Sequence, residues 1–254
     1  MLRAVDVTFD YGEGPVLRAL SVALEPGEVL AVIGPSGVGK TTLLRLLSLA
    51  DRPRAGTVEV DGTDAWAADA DRRLALRRDI GVVFQESNLF GTTVARNVDY
   101  GLRVRRSWRR RLREAVSTPL GSNGTPEAVR EALAVVGLAD AADRRADALS
   151  GGEARRVSFA RAVAYDPTYL LLDEPTSDLD PRNTAVIEQA VGSASDRGIG
   201  VLVATHDMHQ AQRIADRVGV LLDGELTELG PTDRIFESPR DERTERFING
   251  ELVY

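Results

Sequence analysis

Cysteine is absent from the 254 residues, and lysine occurs once. Without cysteine there can be no disulfide, no thiolate metal site and no thiol nucleophile, a composition compatible with a reducing cytosol. Aromatic residues make up only 5%, and there are two histidines, His206 and His209. These two stand three residues apart with no third ligand nearby, so His-x-x-His does not make a metal centre and His209 reads as an exposed bystander. No apolar run approaches the roughly 18 residues that a membrane-crossing helix needs. The N-terminal run Leu2–Phe9 reads as a strand and lacks the profile of a signal peptide. A basic excess is also missing. Lys+Arg number 32 against 39 Asp+Glu, for a net charge of −7, which argues against nucleic acid as the main partner. Arginine supplies every basic residue but one, and with the acidic balance this composition points to a GC-rich genome and a high-salt cytoplasm.

The one lysine is Lys40, within Gly34-Pro35-Ser36-Gly37-Val38-Gly39-Lys40-Thr41. That segment fits the phosphate-binding pattern G-x-x-x-x-G-K-[ST]. Its glycines let backbone N–H groups turn inward toward phosphate oxygens. Lys40 would reach the β- and γ-phosphates as a flexible point charge, and the Thr41 hydroxyl would meet Mg²⁺. A glycine-rich turn without a ligand is the plain alternative, but the flanks favour the first reading. Val29–Ile33 reads as a buried strand, and Thr42 begins an apolar-faced helix whose N-terminus points at the phosphates.

Length suits one α/β domain, or one domain with a lobe. Residues 2–9 and 16–24 predict an antiparallel hairpin around Tyr11–Pro15. Residues 55–60 form a strand closed by Asp61-Gly62, residues 68–78 a helix, and Ile80–Phe84 a buried strand ending at Gln85. Residues 94–148 are rich in helix signals and 150–165 form a further helix. Tyr169–Leu172 and Val201–Ala204 are continuous apolar strands of the parallel type. Val218–Leu222 is a late hairpin arm, and 232–248 are terminal helices. The fold class is α/β: a P-loop NTPase core with a parallel sheet, an N-terminal antiparallel β-subdomain, and an inserted α-helical subdomain. The expected division is 1–93 with 166–254 as core, and 94–165 as the helical lobe.

Asp173 and Glu174 follow a buried strand, where ligands bind in open α/β sheets. Asp173 would hold Mg²⁺ through water, and Glu174 would polarise the attacking water. Alone, two such acids would read as solvated loop residues; after a P-loop they read as catalytic. Leu149-Ser150-Gly151-Gly152-Glu153 opens a helix with no phosphate-binding strand before it. Backbone N–H groups, a hydroxyl and the helix dipole make this a second anion site. One nucleotide does not need two such sites in one chain.

On these motifs the chain resembles the ATP-binding subunits of ABC transporters, whose signature reads Leu-Ser-Gly-Gly-Gln; Glu153 stands where that pattern has Gln. The resemblance covers essentially the whole chain. It implies that Ser150, Gly151, Gly152 and Glu153 of one subunit close over the γ-phosphate on the P-loop of another, in a head-to-tail homodimer. It makes Gln85 the Q-loop residue, near Mg²⁺ and water, and Ser177–Asp180 the D-loop, with Asp178 where the family more often has Ala. His206 becomes the switch histidine on the γ-phosphate and Tyr11 the aromatic on adenine; singly, each of these would pass for a structural residue. The implied cofactors are ATP and Mg²⁺. The implied partners are membrane permease subunits and, indirectly, an extracytoplasmic solute-binding protein, with the chain peripheral on the cytoplasmic face. The lack of a fused membrane segment is the importer arrangement, and the run Arg243–Tyr254 resembles the ends of phosphate or tungstate importer motors. Two alternatives compete: a soluble ABC ATPase of assembly or repair, and a nucleotide-dependent regulatory module that hydrolyses little.

Seven arginines lie within residues 103–113, interleaved with Val104, Trp108 and Leu112 at helical spacing. A solvated basic helix with its stripe on the lobe is one reading. Contact with the membrane subunit or anionic lipid headgroups is the other. Ser117–Thr125 reads as a polar loop.

Overall fold

The first strand needs a defect to stay amphipathic. In β1 (Leu2–Asp10), Leu2 and Ala4 alternate inward, but Val7 and Phe9 are out of phase with them. A register shift between Ala4 and Val7, with Asp6 at φ 49°, resets the alternation so that all four are buried. The Ser21 hydroxyl accepts the Asp6 N–H at 2.8 Å there. β2 (Pro15–Leu24) and β4 (Ala55–Val60) flank β1 antiparallel, and the short β5 (Thr63–Asp64) completes a four-stranded sheet.

A computed structural model describes residues 1–105 and 125–251. The described residues of 1–85, 168–175 and 191–254 form one compact unit, and those of 86–167 and 176–190 the other. Most of the arginine-rich segment, from residue 106 on, lies outside the described residues, as do most of the 117–125 loop and the last three residues of the C-terminal run.

The first unit also holds a six-stranded sheet in the order β10-β9-β3-β8-β7-β6. Its strands are β3 (Val29–Ile33), β6 (Ile80–Val83), β7 (Tyr169–Asp173), β8 (Gly200–Thr205), β9 (Arg217–Leu222) and β10 (Glu225–Pro231). β3, β6, β7, β8 and β9 run parallel, and β10 turns back antiparallel on β9. The central strands are buried along their whole length, because both faces are covered. On β3, Leu30 and Val32 join a core with the antiparallel sheet and helix α1 (Lys40–Leu47). Ala31 and Ile33 face the opposite way, into a core with Ile235 of α8 (Thr232–Glu237) and Phe247 of α9 (Glu242–Ile248). α2 (Ala70–Arg78) and α7 (Met208–Ile214) complete the unit. Several boundaries differ from the sequence expectation by a residue or two, and two of them have a visible cause or consequence. α2 starts at 70 because the Asp69 carboxylate caps it through the Arg72 N–H. β6 stops at Val83, leaving Phe84 40% exposed.

The second unit is helical: α3 (Val94–Arg105), α4 (Glu127–Val135), two short 3₁₀ turns, α5 (Gly151–Val163) and the start of α6 (Pro181–Asp196). Val94, Val98, Val129, Leu133 and Val157 are fully buried. Asn97 is buried among them, its amide hydrogen-bonded to both the N–H and the carbonyl of Phe90. The chain before α5 is pinned to the head of α3, where the Val94 N–H donates to the Arg144 carbonyl at 2.9 Å.

Candidate nucleotide site

The P-loop leaves β3 at Ile33 and must pass close to its neighbour β9. A Cβ on Gly34 would stand 2.3 Å from the Leu221 carbonyl oxygen, so only glycine fits. The loop ends at Gly39, whose φ of 112° turns the chain into α1 and aims the first helical N–H groups at the loop interior. Lys40 is 6% exposed. Its ammonium donates to the carbonyls of Gly34 at 2.7 Å and Pro35 at 3.0 Å, and lies 3.6 Å from the Glu174 carboxylate. Burial lowers its pKa, and the facing charges of Glu174 and Asp173 oppose that shift.

Thr41, the next residue, donates its hydroxyl to the buried Asp173 at 2.8 Å. Asp173 ends β7, and Glu174 follows in a left-handed conformation, φ 47°, with its N–H bonded to the Ala204 carbonyl. This turn swings the Glu174 side chain away from the line of the strand. The Nδ1 atom of His206, just past the end of β8, lies 2.9 Å from both oxygens of that carboxylate. A cavity of about 240 Å³ is lined by Ser36, Gly37, Gly39, Lys40, Thr41, Thr42, Gln85, Asp173, Glu174 and His206. A second cavity, of about 600 Å³, shares Ser36 and Gly37 as a wall. Tyr11, Val16, Arg18, Pro35, Val38 and Asp223 line its other sides. Tyr11 stands 60% exposed there, edge-on to Phe9, its hydroxyl 3.3 Å from that of Thr42. The pair of cavities offers a small chamber lined by the P-loop, Lys40 and two carboxylates beside a wider one with an aromatic wall, a division that suits phosphates with a metal ion and a base.

Thus the structure brings Tyr11, the P-loop with Thr42, Gln85, Asp173, Glu174 and His206 to these two adjoining spaces. The Thr41 hydroxyl, Asp173 carboxylate and Gln85 amide are hard oxygen donors of the kind Mg²⁺ takes. Ser150–Glu153 belong to the helical unit. There Ser150 caps α5: its hydroxyl accepts the Glu153 N–H at 3.2 Å, and the Glu153 carboxylate accepts the Ser150 N–H at 2.9 Å. Gly152 sits hard against Asn183 of α6, where a Cβ would come within 2.6 Å of the amide nitrogen. Asp180 caps that helix through the Asn183 N–H, and Asp178 in the preceding turn has φ 61°.

Three participants were not visible from sequence: Arg144, which forks onto Glu153, Asn183 behind Gly152, and Arg18 in the wider cavity. None falls within a motif, and each is placed by tertiary packing. Only the Glu at position 153 could have signalled a search for a cationic neighbour.

Known proteins match this arrangement. A family model described as ABC transporter matches residues 17–177. The phosphate import ATP-binding protein PstB 2 of Natronomonas pharaonis is 61% identical over all of this chain and 88% of its own length. A probable anion import ATP-binding protein of Haloferax volcanii is 56% identical over the same shares. Among solved structures, the bacterial ABC transporter cassette MJ0796 was determined as a dimer. It superposes with a TM-score of 0.76 at 31% identity, covering 91% of this chain and 99% of that one. The same cassette has been solved as a dimer in a post-hydrolysis state bound to ADP and Pi.

Proposed function

The chain belongs to the ABC transporter family and is an ATPase of it, and from that premise we propose that it is the motor subunit of an importer for an inorganic oxyanion, phosphate or tungstate/molybdate. The identities of 61% and 56% to proteins described as phosphate and anion import ATP-binding proteins support the substrate class. Two copies bind ATP head to tail, and permease subunits couple their closure to transport of solute delivered by an extracytoplasmic binding protein. The chain sits peripherally on the cytoplasmic face of the membrane. No helix among the described residues is long and apolar enough to cross a membrane.

One observation carries the chemistry: Glu174 is turned by its positive φ into the chamber that holds Lys40, and His206 braces both of its carboxylate oxygens. Adenine stacks on Tyr11. The P-loop N–H groups and Lys40 bind the β- and γ-phosphates, and Lys40 exchanges its Gly34 and Pro35 carbonyls for phosphate oxygens. Thr41, Asp173 and Gln85 would hold Mg²⁺, which supplies charge neutralisation at the phosphates when bound. Glu174 orients the attacking water and accepts its proton, while His206 fixes the carboxylate and faces the γ-phosphate. Ser150–Glu153 of the second copy close the far side of the γ-phosphate. The helical lobe, residues 94–165, carries that turn.

Glu174→Gln keeps the shape and removes the base. It should bind ATP with near-normal affinity and lose hydrolysis by roughly two orders of magnitude or more. With ATP it should sediment as a dimer, and adding Ser150→Arg should return it to monomer. Near-normal turnover in Glu174→Gln, or a dimer indifferent to both ATP and Ser150, would contradict the proposal.

A further inference from the structure

The turn that opens α5 contains an electrostatic contradiction. A helix N-terminus attracts anions with the equivalent of roughly half a positive charge. Glu153 occupies the third position of that helix, within its first turn. A full negative charge there overrides the half charge of the dipole and would repel a phosphate. The carboxylate is ionised throughout the physiological range, because its bonds to Arg144 and to the Ser150 N–H hold its pKa down to about 2.

Arg144 answers that charge. Its guanidinium forks onto both carboxylate oxygens, at 2.7 and 3.3 Å, and donates a further bond to the Ala148 carbonyl at 3.2 Å. Its backbone is fixed too, by the bond from the Val94 N–H and by its own N–H on the Ala141 carbonyl. The side chains are 45% and 21% exposed, and a pair so open to solvent adds little to stability. A glutamine at position 153 could make the same cap without any charge. What distinguishes the pair is therefore its local charge balance: with Arg144 in place, the turn keeps the positive sign of the dipole.

We propose that Arg144 is a positioning residue of this turn, which neutralises and anchors Glu153 so that the N-terminus of α5 presents a positive field to the γ-phosphate of ATP bound by a second copy. The inference rests on the reading above, in which Ser150–Glu153 close over a partner's nucleotide. It assigns a role to a residue outside every recognised motif.

The test uses the full-length Glu174→Gln protein, which holds ATP without consuming it, and follows ATP-driven dimerisation by sedimentation velocity. Arg144→Gln should raise the ATP concentration needed for half-dimerisation by about tenfold at low salt, the size of one unscreened charge at close range. The gap should narrow as added salt shortens the Debye length. Arg144→Lys should retain most of the function. Removing both charges, in Arg144→Gln with Glu153→Gln, should bring the ATP requirement back to within about threefold of wild type, because the turn is again neutral apart from its dipole. Thermal unfolding of each variant checks that the fold is intact. An unchanged ATP requirement in Arg144→Gln overturns the proposal. So does a double variant as impaired as Arg144→Gln alone, which would make Arg144 a strut. If the Glu174→Gln parent itself fails to dimerise with ATP, the functional reading falls and the inference with it.

Discussion

Lys40 shows how much one residue can state. Desolvation disfavours its charge, and the facing carboxylates of Glu174 and Asp173 oppose that shift at a position only 6% exposed. The gathering of Thr41, Asp173, Glu174 and His206 around one cavity was legible, because the P-loop pattern and the ends of buried strands fix both residue type and place along the chain. The tolerances around them were not, because they depend on segments distant in sequence. Gly34 is required by the Leu221 carbonyl, which β9 brings alongside. Gly37, by contrast, has φ 80°, and a Cβ there would meet nothing within 4 Å. Gly34→Ala should therefore cost about 2 kcal/mol or more through backbone displacement. Gly37→Ala should cost about 1 kcal/mol from strain alone. Urea unfolding measures both, and binding of a fluorescent ATP analogue should fall further for Gly34→Ala. Equal effects at the two glycines would refute the close-approach argument.

Elements followed from periodicity where one physical pattern dominates. The buried parallel strands at 169–173 and 200–205 were legible as unbroken apolar runs, and the hairpin of β1 and β2 from alternation around glycines. Ends were less legible, because caps set them: Asp69 moves the start of α2, and the Ser150–Glu153 box sets α5. The boundaries of the second unit were harder still, since the compact division places 176–190 with it. The α5 box carries a pH signature. Glu153 titrates at about 2 in the folded chain against an ordinary 4.5. A depressed carboxyl pKa means that the contribution is complete above the unfolded value and is lost as pH falls toward the folded one. The stability gap between wild type and Glu153→Gln, small because the pair is open to solvent, should thus be constant above about pH 5 and shrink below about pH 4.5. Urea midpoints at pH 6, 4.5 and 3.5 check it. A gap that widens on acidification would mean that the Arg144 bond does not hold the charge.

At the scale of the whole molecule, the P-loop and the α5 turn lie on two different compact units of one chain, and the proposed dimer pairs the P-loop of each copy with the α5 turn of the other. A two-fold dimer that joins unlike turns has a consequence that pairing of like with like does not share. Take one protein with Lys40→Ala and another with Ser150→Arg. Alone, each can offer only composite sites that are broken, and neither should hydrolyse ATP. Mixed, they form heterodimers in which one site joins the intact Lys40 of the second protein to the intact Ser150 of the first. The other site collects both defects. With random encounters in an equal mixture about half of the pairs are mixed, and each mixed pair has one working site of two, so ATPase activity should reach about a quarter of wild type. If both sites of a dimer must fire together, the mixture still traps radiolabelled ATP at one site per mixed pair, a readout that needs no turnover. A mixture that neither hydrolyses nor traps ATP better than its components would mean that the two turns serve the same copy, and the head-to-tail arrangement would have to be abandoned.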